Sequence, residues 1–210
     1  MNTRQGTSLI VVLLIFLATT TLSAQDLYGS SADDSAAFVR LLNATSLPAV
    51  EGARLGSTRF DAVEGFSPYH PVRAGIYIAS ARGRTAEVVA QQGEFSTIVV
   101  GNDALTVFRD PRHEDPARAQ LILYGAGASE TVSLVTADGA VAVIEDVAPQ
   151  EYAEVVVNAV EVSLAVVTTE EILATLDGIG LARGQSYAFA VLPEDRDTRV
   201  VWQQAEVSSE

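Results

Sequence analysis

Short β-branched segments separated by turn residues recur along most of the chain, and they limit the fold more than any other feature. Examples are GIYIASA (75–81), FSTIVV (95–100), AQLILYG (119–125) and SYAFAVL (186–192), each with Gly or Pro close to one end. Such segments are typical of strands, and many short strands with regular turn signals indicate a sandwich or barrel. The sequence therefore predicts an all-β fold.

One segment permits a helix. TTEEILATL (168–176) opens with Thr168 and Glu171 in the spacing of a capping box, in which each side chain bonds to the other's backbone N–H at a helix N-terminus. The segment is too short to decide, and either a strand or a short helical turn is favoured over a helix.

A charged, proline-containing stretch divides the chain. DPRHEDPAR (110–118) has two prolines and no apolar periodicity, which is typical of an exposed linker. We therefore expect an N-terminal β-sandwich domain over 25–109 and a C-terminal one over 119–210, both Ig-like or jelly-roll-like, with the short charged linker 110–118 between them.

The two halves share sequence features in the same order, which raises the possibility of duplication. FVRLLNA (38–44) matches QLILYGA (120–126), VEGFSP (63–68) matches IEDVAP (144–149), and AQQGEFSTIVV (90–100) matches LARGQSYAFAV (181–191). The last pair places Gly93 and Gly184 before an apolar strand. We expect a positive φ at both glycines, because tight turns often need one. The alternative explanation is that any two β-sandwiches share a similar pattern of strands and turns.

The first 24 residues predict export. Arg4 precedes the apolar run LIVVLLIFLA (9–18), and small residues follow it, as in a secretory signal peptide cleaved after Ala24. The run is too short to cross a bilayer, which takes roughly 20 apolar residues. We therefore expect a periplasmic protein with no membrane insertion after cleavage, and its stability must come without disulfides because the sequence has no cysteine.

The charge of the chain argues against two classes of partner. The sequence has 27 acidic residues against 13 basic ones, all of them Arg, and a net charge of −14. Nucleic acids and anionic membranes bind basic patches, so we expect neither as a partner. A simple electrostatic capture of an acidic polysaccharide is disfavoured for the same reason.

No pattern of catalytic or metal-binding residues stands out. The chain has no G-x-S-x-G motif, and its two histidines, His70 and His113, lie in a proline-flanked turn and in the linker. The acidic PEDRDT (193–198) lacks the ordered oxygen spacing of a calcium loop, and TADGA (136–140) is predicted to be a hairpin turn with Asp138-Gly139 at its corner. We therefore predict no catalytic residue, no metal site and no cofactor.

The opening of the predicted mature chain resembles a known family. LYG (27–29), a polar spacer, SAAFVRLLNA (35–44) and the late LARGQSY (181–187) are similar to segments of the alginate O-acetylation protein AlgF family. The resemblance implies a periplasmic accessory protein without its own catalytic triad. Such a protein would connect the membrane-bound O-acyltransferase machinery with periplasmic polysaccharide O-acetyltransferases. The spacer SSADD and the lack of Lys depart from the family pattern, so the polymer stays open between alginate and another acetylated exopolysaccharide.

The predicted partner surface comprises six residues: Tyr28, Gly29, Arg40, Asn43, Phe66 and Tyr69. Arg40 and Asn43 are polar positions of a strand expected to be half-buried, and the aromatic residues lie around a Pro-rich turn. A carbohydrate-binding module with Tyr69 or Trp202 as a sugar platform is the first alternative function. An acetylesterase or acetyltransferase that uses His70 is the second.

Overall fold

The fold is built entirely from β-strands in the part of the chain that the computed structural model describes, residues 35–194 and 197–208. No helix in these residues is long and apolar enough to cross a membrane. The strands are β1 (Ala36–Ala44), β2 (Arg54–Leu55), β3 (Thr58–Arg59), β4 (His70–Arg73), β5 (Gly75–Ala81), β6 (Arg84–Ala90), β7 (Phe95–Gly101), β8 (Leu105–Asp110), β9 (Arg118–Tyr124), β10 (Val132–Thr136), β11 (Ala142–Val147), β12 (Tyr152–Asn158), β13 (Glu161–Val167), β14 (Ile172–Gly180), β15 (Ser186–Glu194) and β16 (Asp197–Gln204).

These strands form four sheets of four strands each, two from each half of the chain. In the first half the strand orders are β4-β1-β7-β8 and β3-β2-β5-β6; in the second half they are β12-β9-β15-β16 and β11-β10-β13-β14. Adding eight to every strand number of the first half gives the second. In each half the first strand runs parallel to the seventh, β1 beside β7 and β9 beside β15. The two halves therefore have one topology, and the predicted all-β, two-sandwich fold is confirmed.

The strand register matches two of the three sequence comparisons between the halves. Phe38 lies opposite Phe95 in the first parallel pair, and Gln120 lies opposite Ser186 in the second. The comparison of FVRLLNA with QLILYGA equates Phe38 with Gln120. The comparison of the two glycine-led strands equates Phe95 with Ser186. Both sequence matches therefore agree with the structure.

The glycine turns are equivalent as well. Gly93 and Gly184 have φ of 72° and 71°, as expected for both. Their N–H groups donate to the carbonyls of Ala36 and Arg118, at 2.8 and 2.7 Å. Each glycine therefore ties its turn to the start of the first strand in its own half.

The third sequence match is wrong by three residues. It equates Val63 with Ile144, but Val63 pairs with Val50 whereas Val147 pairs with Val132. Val147 is therefore the counterpart of Val63. A short Glu-containing motif was too weak a signal to fix the register.

The sheets stack in four layers. One apolar core joins the two sheets of the first half, and a second core joins those of the second half. A third core joins the sheet that contains β1 to the sheet that contains β9; its buried members are Leu42, Ala44, Val99, Ile122, Tyr124, Ala126, Ala188, Ala190 and Leu192. The sheets with β1 and β9 are therefore the inner layers, and each is covered on both faces.

The strand predictions are confirmed for the longer segments. β5 has the predicted bounds, and the strand starting at Ile172 shows that 168–176 is a turn followed by a strand. In that turn the hydroxyl of Thr168 accepts hydrogen bonds from the N–H groups of Glu170 and Glu171. The short strands β2, β3 and β4 and the strand β11 were missed.

The stretch 110–118 is only partly a connection. Asp110 is the last residue of β8 and is buried, whereas Arg118 begins β9. Residues 111–117 lie between the two strands. The domain limits 25–109 and 119–210 stay a prediction.

Candidate functional site: a buried arginine network between the sandwiches

The side chain of Arg40 lies between the two inner sheets and is 1% exposed. Its Nε donates a hydrogen bond to the Thr97 hydroxyl at 2.9 Å, and its Nη2 donates to the Tyr124 hydroxyl at 3.1 Å. The guanidinium carbon lies 4.6 Å from the centre of the Phe66 ring and 4.4 Å from that of Tyr69. Aromatic faces attract a cation at this distance, so two rings and two hydroxyls hold the charge in place of water.

Asp110 supplies the opposite charge. Its carboxylate accepts hydrogen bonds from three hydroxyls, those of Tyr69 at 2.8 Å, Thr97 at 2.5 Å and Tyr124 at 2.6 Å. Thr97 and Tyr124 also accept from Arg40, so each bridges the cation and the anion. Four members come from the first half and Tyr124 comes from β9, so the network joins the two sandwiches.

Burial and charge together set the protonation of the network. Burial alone favours a neutral Arg40, but Tyr69, Tyr124 and Asp110 outweigh it, and the pKa of Arg40 is raised above its ordinary value. Burial raises the pKa of Tyr69 and of Tyr124, and Asp110 adds to the rise while Arg40 opposes it. At neutral pH the arginine is therefore charged and both phenols keep their protons.

A small cavity adjoins the network, with a volume of about 20 Å³. Its lining includes Arg40, Tyr69, Ile122 and Ala188. The Nη1 of Arg40 is buried and has no hydrogen-bond partner among the described residues. A cavity of this size fits about one water molecule, so it is too small for a sugar or an acyl group.

The chain's own C-terminal residues cover Tyr69. The N–H of Tyr69 donates to the carbonyl of Glu206 at 2.8 Å, and the N–H of Ser208 donates to the carbonyl of Tyr69 at 2.7 Å. Val207 packs on a small apolar cluster that includes Phe38, Tyr69 and Phe95. The segment after β16 thus attaches to the first half beside the network.

Asn43 has a separate structural role at the end of β1. Its Nδ2 donates to the carbonyls of Leu47 and Glu64, and its Oδ1 accepts from the N–H and the hydroxyl of Thr45. The bonds with Thr45 and Leu47 are local and the bond with Glu64 is not, so Asn43 fixes the loop that follows β1 and ties it to the segment before β4.

The two outer sheets expose one face each. Large exposed aliphatic side chains are present on both: Ile76, Ile78 and Val89 on the sheet of β5 and β6, and Ile172 on the sheet of β14. Trp202 lies on β16, the edge strand of an inner sheet. It is half-exposed and packs on Phe189, with 6.4 Å between the ring centres. Apolar area of this kind is a common feature of protein-binding surfaces.

A protein-family model described as "Alginate O-acetyl transferase AlgF" matches residues 11–188. The chain belongs to the AlgF family. It is 28% identical to the alginate biosynthesis protein AlgF of Pseudomonas putida, over 87% of this chain and 85% of that one. It is also 28% identical to the AlgF of Azotobacter vinelandii, over 91% of this chain and 89% of the relative.

A solved structure of the C-terminal domain of AlgF from P. aeruginosa is also similar. The identity is 27%, and the match covers 42% of this chain and 98% of that domain, with a TM-score of 0.39.

The segments that carry the AlgF resemblance have structural roles in the described chain. In LARGQSY the hydroxyl of Tyr187 donates to the carbonyl of Gly180 and accepts from the N–H of Ala182, both at 2.9 Å. A buried tyrosine that bonds back to the preceding backbone is a known corner of β-sandwiches. In SAAFVRLLNA, Arg40 and Asn43 make the contacts described above. The LYG segment lies outside the described residues.

The predicted partner surface needs correction. Arg40, Asn43 and Tyr69 are buried and Phe66 is half-buried, so these four residues form no exposed surface. The reason is that β1 belongs to an inner layer: both its faces are covered, whereas the prediction assumed that one faces water. Tyr28 and Gly29 lie outside the described residues.

The two histidines take separate positions. His70 packs edge-on against Phe60, with ring centres 4.8 Å apart, and His113 bonds through Nε2 to the carbonyl of Arg118. In the described ranges no group of three His, Asp or Glu residues is placed to hold a metal. The hydroxyl of Thr136 and a backbone N–H lower the pKa of Asp138 in the turn TADGA, which is the pattern of a capped hairpin turn.

Sequence reasoning missed Thr97, Asp110 and Tyr124. Asp110 was assigned to an exposed linker because two prolines and several charges surround it. One signal could have found it: Asp110 precedes a proline, and a residue before proline favours the extended backbone that continues a strand.

Proposed function

We propose that this protein is a non-catalytic periplasmic adaptor for O-acetylation of an exopolysaccharide, either alginate or an alginate-like polymer. Its partners are periplasmic polysaccharide O-acetyltransferases and the membrane-bound O-acyltransferase machinery. Membership of the AlgF family supports the pathway, since its relatives are named alginate biosynthesis proteins.

The observation that carries the adaptor role is the pair of outer sheets, each of which has an outer face that no other described residue covers. They lie at the two ends of a four-layer stack, because the third core and the arginine network join the inner sheets. A rigid body with two free faces can hold two partners at a fixed separation, which is the mechanical requirement of an adaptor.

The placement of polar residues supports a non-catalytic role, although the family model carries the name of a transferase. A serine-type acyl transfer needs a nucleophile hydrogen-bonded to a base. In the described chain the hydroxyls of Thr97, Tyr69 and Tyr124 all donate to the carboxylate of Asp110 inside the protein. These groups are committed to joining the sandwiches.

Deletion of the gene in its own organism, followed by measurement of polymer-bound acetate, tests the role. We expect polymer without acetyl groups and recovery on expression of the wild-type chain. We also expect the chain to co-purify from the periplasmic fraction with a tagged O-acetyltransferase. Normal acetylation in the deletion strain would reject the proposal. Hydrolysis of a chromogenic acetyl ester by the pure protein would reject its non-catalytic part.

A further inference from the structure

The outer face of the sheet that contains β5 and β6 has an apolar end. Ile76 is 70% exposed, and it lies directly opposite Val89, which is 44% exposed; Ile78, next along the same face, is 54% exposed. Directly opposed residues lie about 5 Å apart on one face of a sheet, so these side chains form one continuous patch. Covering such a patch with a second apolar surface is favourable, because it removes apolar area from water.

The same face has a cationic end. Arg54 on β2 lies directly opposite Arg59 on β3, and both are exposed. The ion pairs formed within the described residues use Arg84, Arg109 and Arg118. Like charges directly opposed on a sheet repel each other, and an anion placed between them would remove the repulsion.

The cationic end is unusual for this chain. Residues 35–110 hold seven Arg and seven acidic residues, whereas residues 111–208 hold five Arg and sixteen acidic ones. On the face itself the carboxylate is Glu87, opposite Ile78, and β5 separates it from Arg54. Although the chain as a whole is acidic, this outer face therefore has two arginines without an ion-pair partner among the described residues, and they lie beside aliphatic residues.

We propose that this face, formed by Ile76, Ile78, Val89, Arg54 and Arg59, binds a partner protein whose contact surface has an aliphatic centre and carboxylates at the rim beside the two arginines. The proposal rests on the proposed function, in which the partner belongs to the acetylation machinery. A second copy of this chain is the less favoured occupant, because its acidic half on the arginine face would give a head-to-tail contact rather than the two-fold contact that most homodimers use.

Site-specific crosslinking in the producing organism tests the face. A photoreactive benzoylphenylalanine is placed at position 76 and, as the matched control, at position 172, where Ile172 is 65% exposed on the other outer sheet. We expect an adduct with a different protein at position 76 and no adduct with that protein at position 172. The crosslinked peptide of the partner should contain Asp or Glu within a few residues.

Four other results count against the face. No adduct at 76, an equal adduct at both positions, an adduct with another part of the same chain or an adduct of two copies of the chain would each overturn it. An adduct at 76 with a protein that has no part in O-acetylation would support the face and reject the proposed function. The two proposals therefore fail separately.

Affinity measurements with the purified crosslinked partner complete the test. We expect Arg54→Glu combined with Arg59→Glu to weaken binding by about tenfold or more and to reduce its dependence on salt, because rim charges steer association. Ile76→Ser should weaken binding by a similar factor without changing the salt dependence. Ile172→Ser is the control and should leave the dissociation constant unchanged. Unchanged binding in both test variants would overturn the proposal.

Discussion

Arg40 and Asp110 form an unusual pair of opposite charges, because bridging hydroxyls connect the guanidinium to the carboxylate. Thr97 and Tyr124 each contact both groups, and the Phe66 and Tyr69 rings cover the guanidinium. Burying a charge costs several kcal/mol unless polar groups replace the lost water, and here three hydroxyls surround the carboxylate. Removing one charge leaves the other without compensation in the interior.

Arg40→Met tests this dependence. We expect the free energy of unfolding to fall by about 3–5 kcal/mol, because Asp110 becomes an uncompensated buried anion. Arg40→Met combined with Asp110→Asn should recover part of the loss. Urea denaturation followed by circular dichroism measures both. A loss below about 1 kcal/mol in the single variant would contradict the role assigned to the pair.

The raised pKa values of Tyr69 and Tyr124 predict an alkaline limit of stability. Burial raises both above the ordinary value of 10.0. Above about pH 10 the unfolded chain releases phenolic protons that the folded chain keeps. The unfolded state then binds fewer protons, so the free energy of unfolding falls as pH rises, by up to about 1.4 kcal/mol per pH unit for each phenol.

Urea midpoints between pH 8 and pH 11 measure this limit. We expect a flat profile up to about pH 9, a decline above pH 10, and a shallower decline in Tyr69→Phe and Tyr124→Phe. An equally steep decline in both variants would show that other groups cause it.

The residue-scale prediction failed at Arg40 and Asn43 for a physical reason. An arginine and an asparagine in a strand normally face water, and sequence shows the polarity of a residue but not which layers cover its sheet. One signal was available: AAFVRLLNA has no apolar–polar alternation, which is typical of a strand buried on both faces. The buried partners, Thr97 and Tyr124, are distant in sequence and gave no signal.

At the scale of elements, the two glycine turns are the features that sequence predicted best. Gly93→Ala and Gly184→Ala should each lower the free energy of unfolding by about 1–2 kcal/mol, because both residues have φ near 70° and a Cβ is strained there. Gly180→Ala is the matched control: it has no positive φ, and a Cβ there would meet nothing within 4 Å. Thermal unfolding compares the three, and equal losses would contradict the explanation.

Element length explains why the two shortest strands were missed, although β11, which has six residues, was missed as well. Strands such as β5 and β7, which contain six or seven residues and many of high β-propensity, can be recognised in the sequence. β2 and β3 have two residues each, and neither alternation nor β-propensity is measurable over two positions. Their pairing depends on the turn between them and on packing against β5, which are tertiary effects.

At the scale of the whole molecule, the third core predicts cooperative unfolding. The halves share buried apolar surface and the arginine network, so we expect them to unfold together. Trp202 is the sole tryptophan and lies in the second half, so its fluorescence reports that half while circular dichroism reports both. The two signals should give one midpoint in the wild-type chain.

Ile122→Asp should separate the two midpoints, because it places a charge in the shared core. Ile172→Asp, on an exposed face, should leave them coincident. Two midpoints in the wild-type chain would show that the sandwiches are independent.

The two halves have the same topology, but the faces through which they contact each other differ in polarity. By strand register, Arg40, Thr97 and Asp110 of the first half correspond to Ile122, Ala188 and Ala205 of the second. Two first halves placed face to face would oppose two guanidinium groups and lack Tyr124. Only a first half joined to a second half gives Arg40 an apolar neighbour in place of a second guanidinium and also supplies the Tyr124 hydroxyl. A fragment that contains residues 35–110 therefore cannot use another copy of itself in place of the missing half.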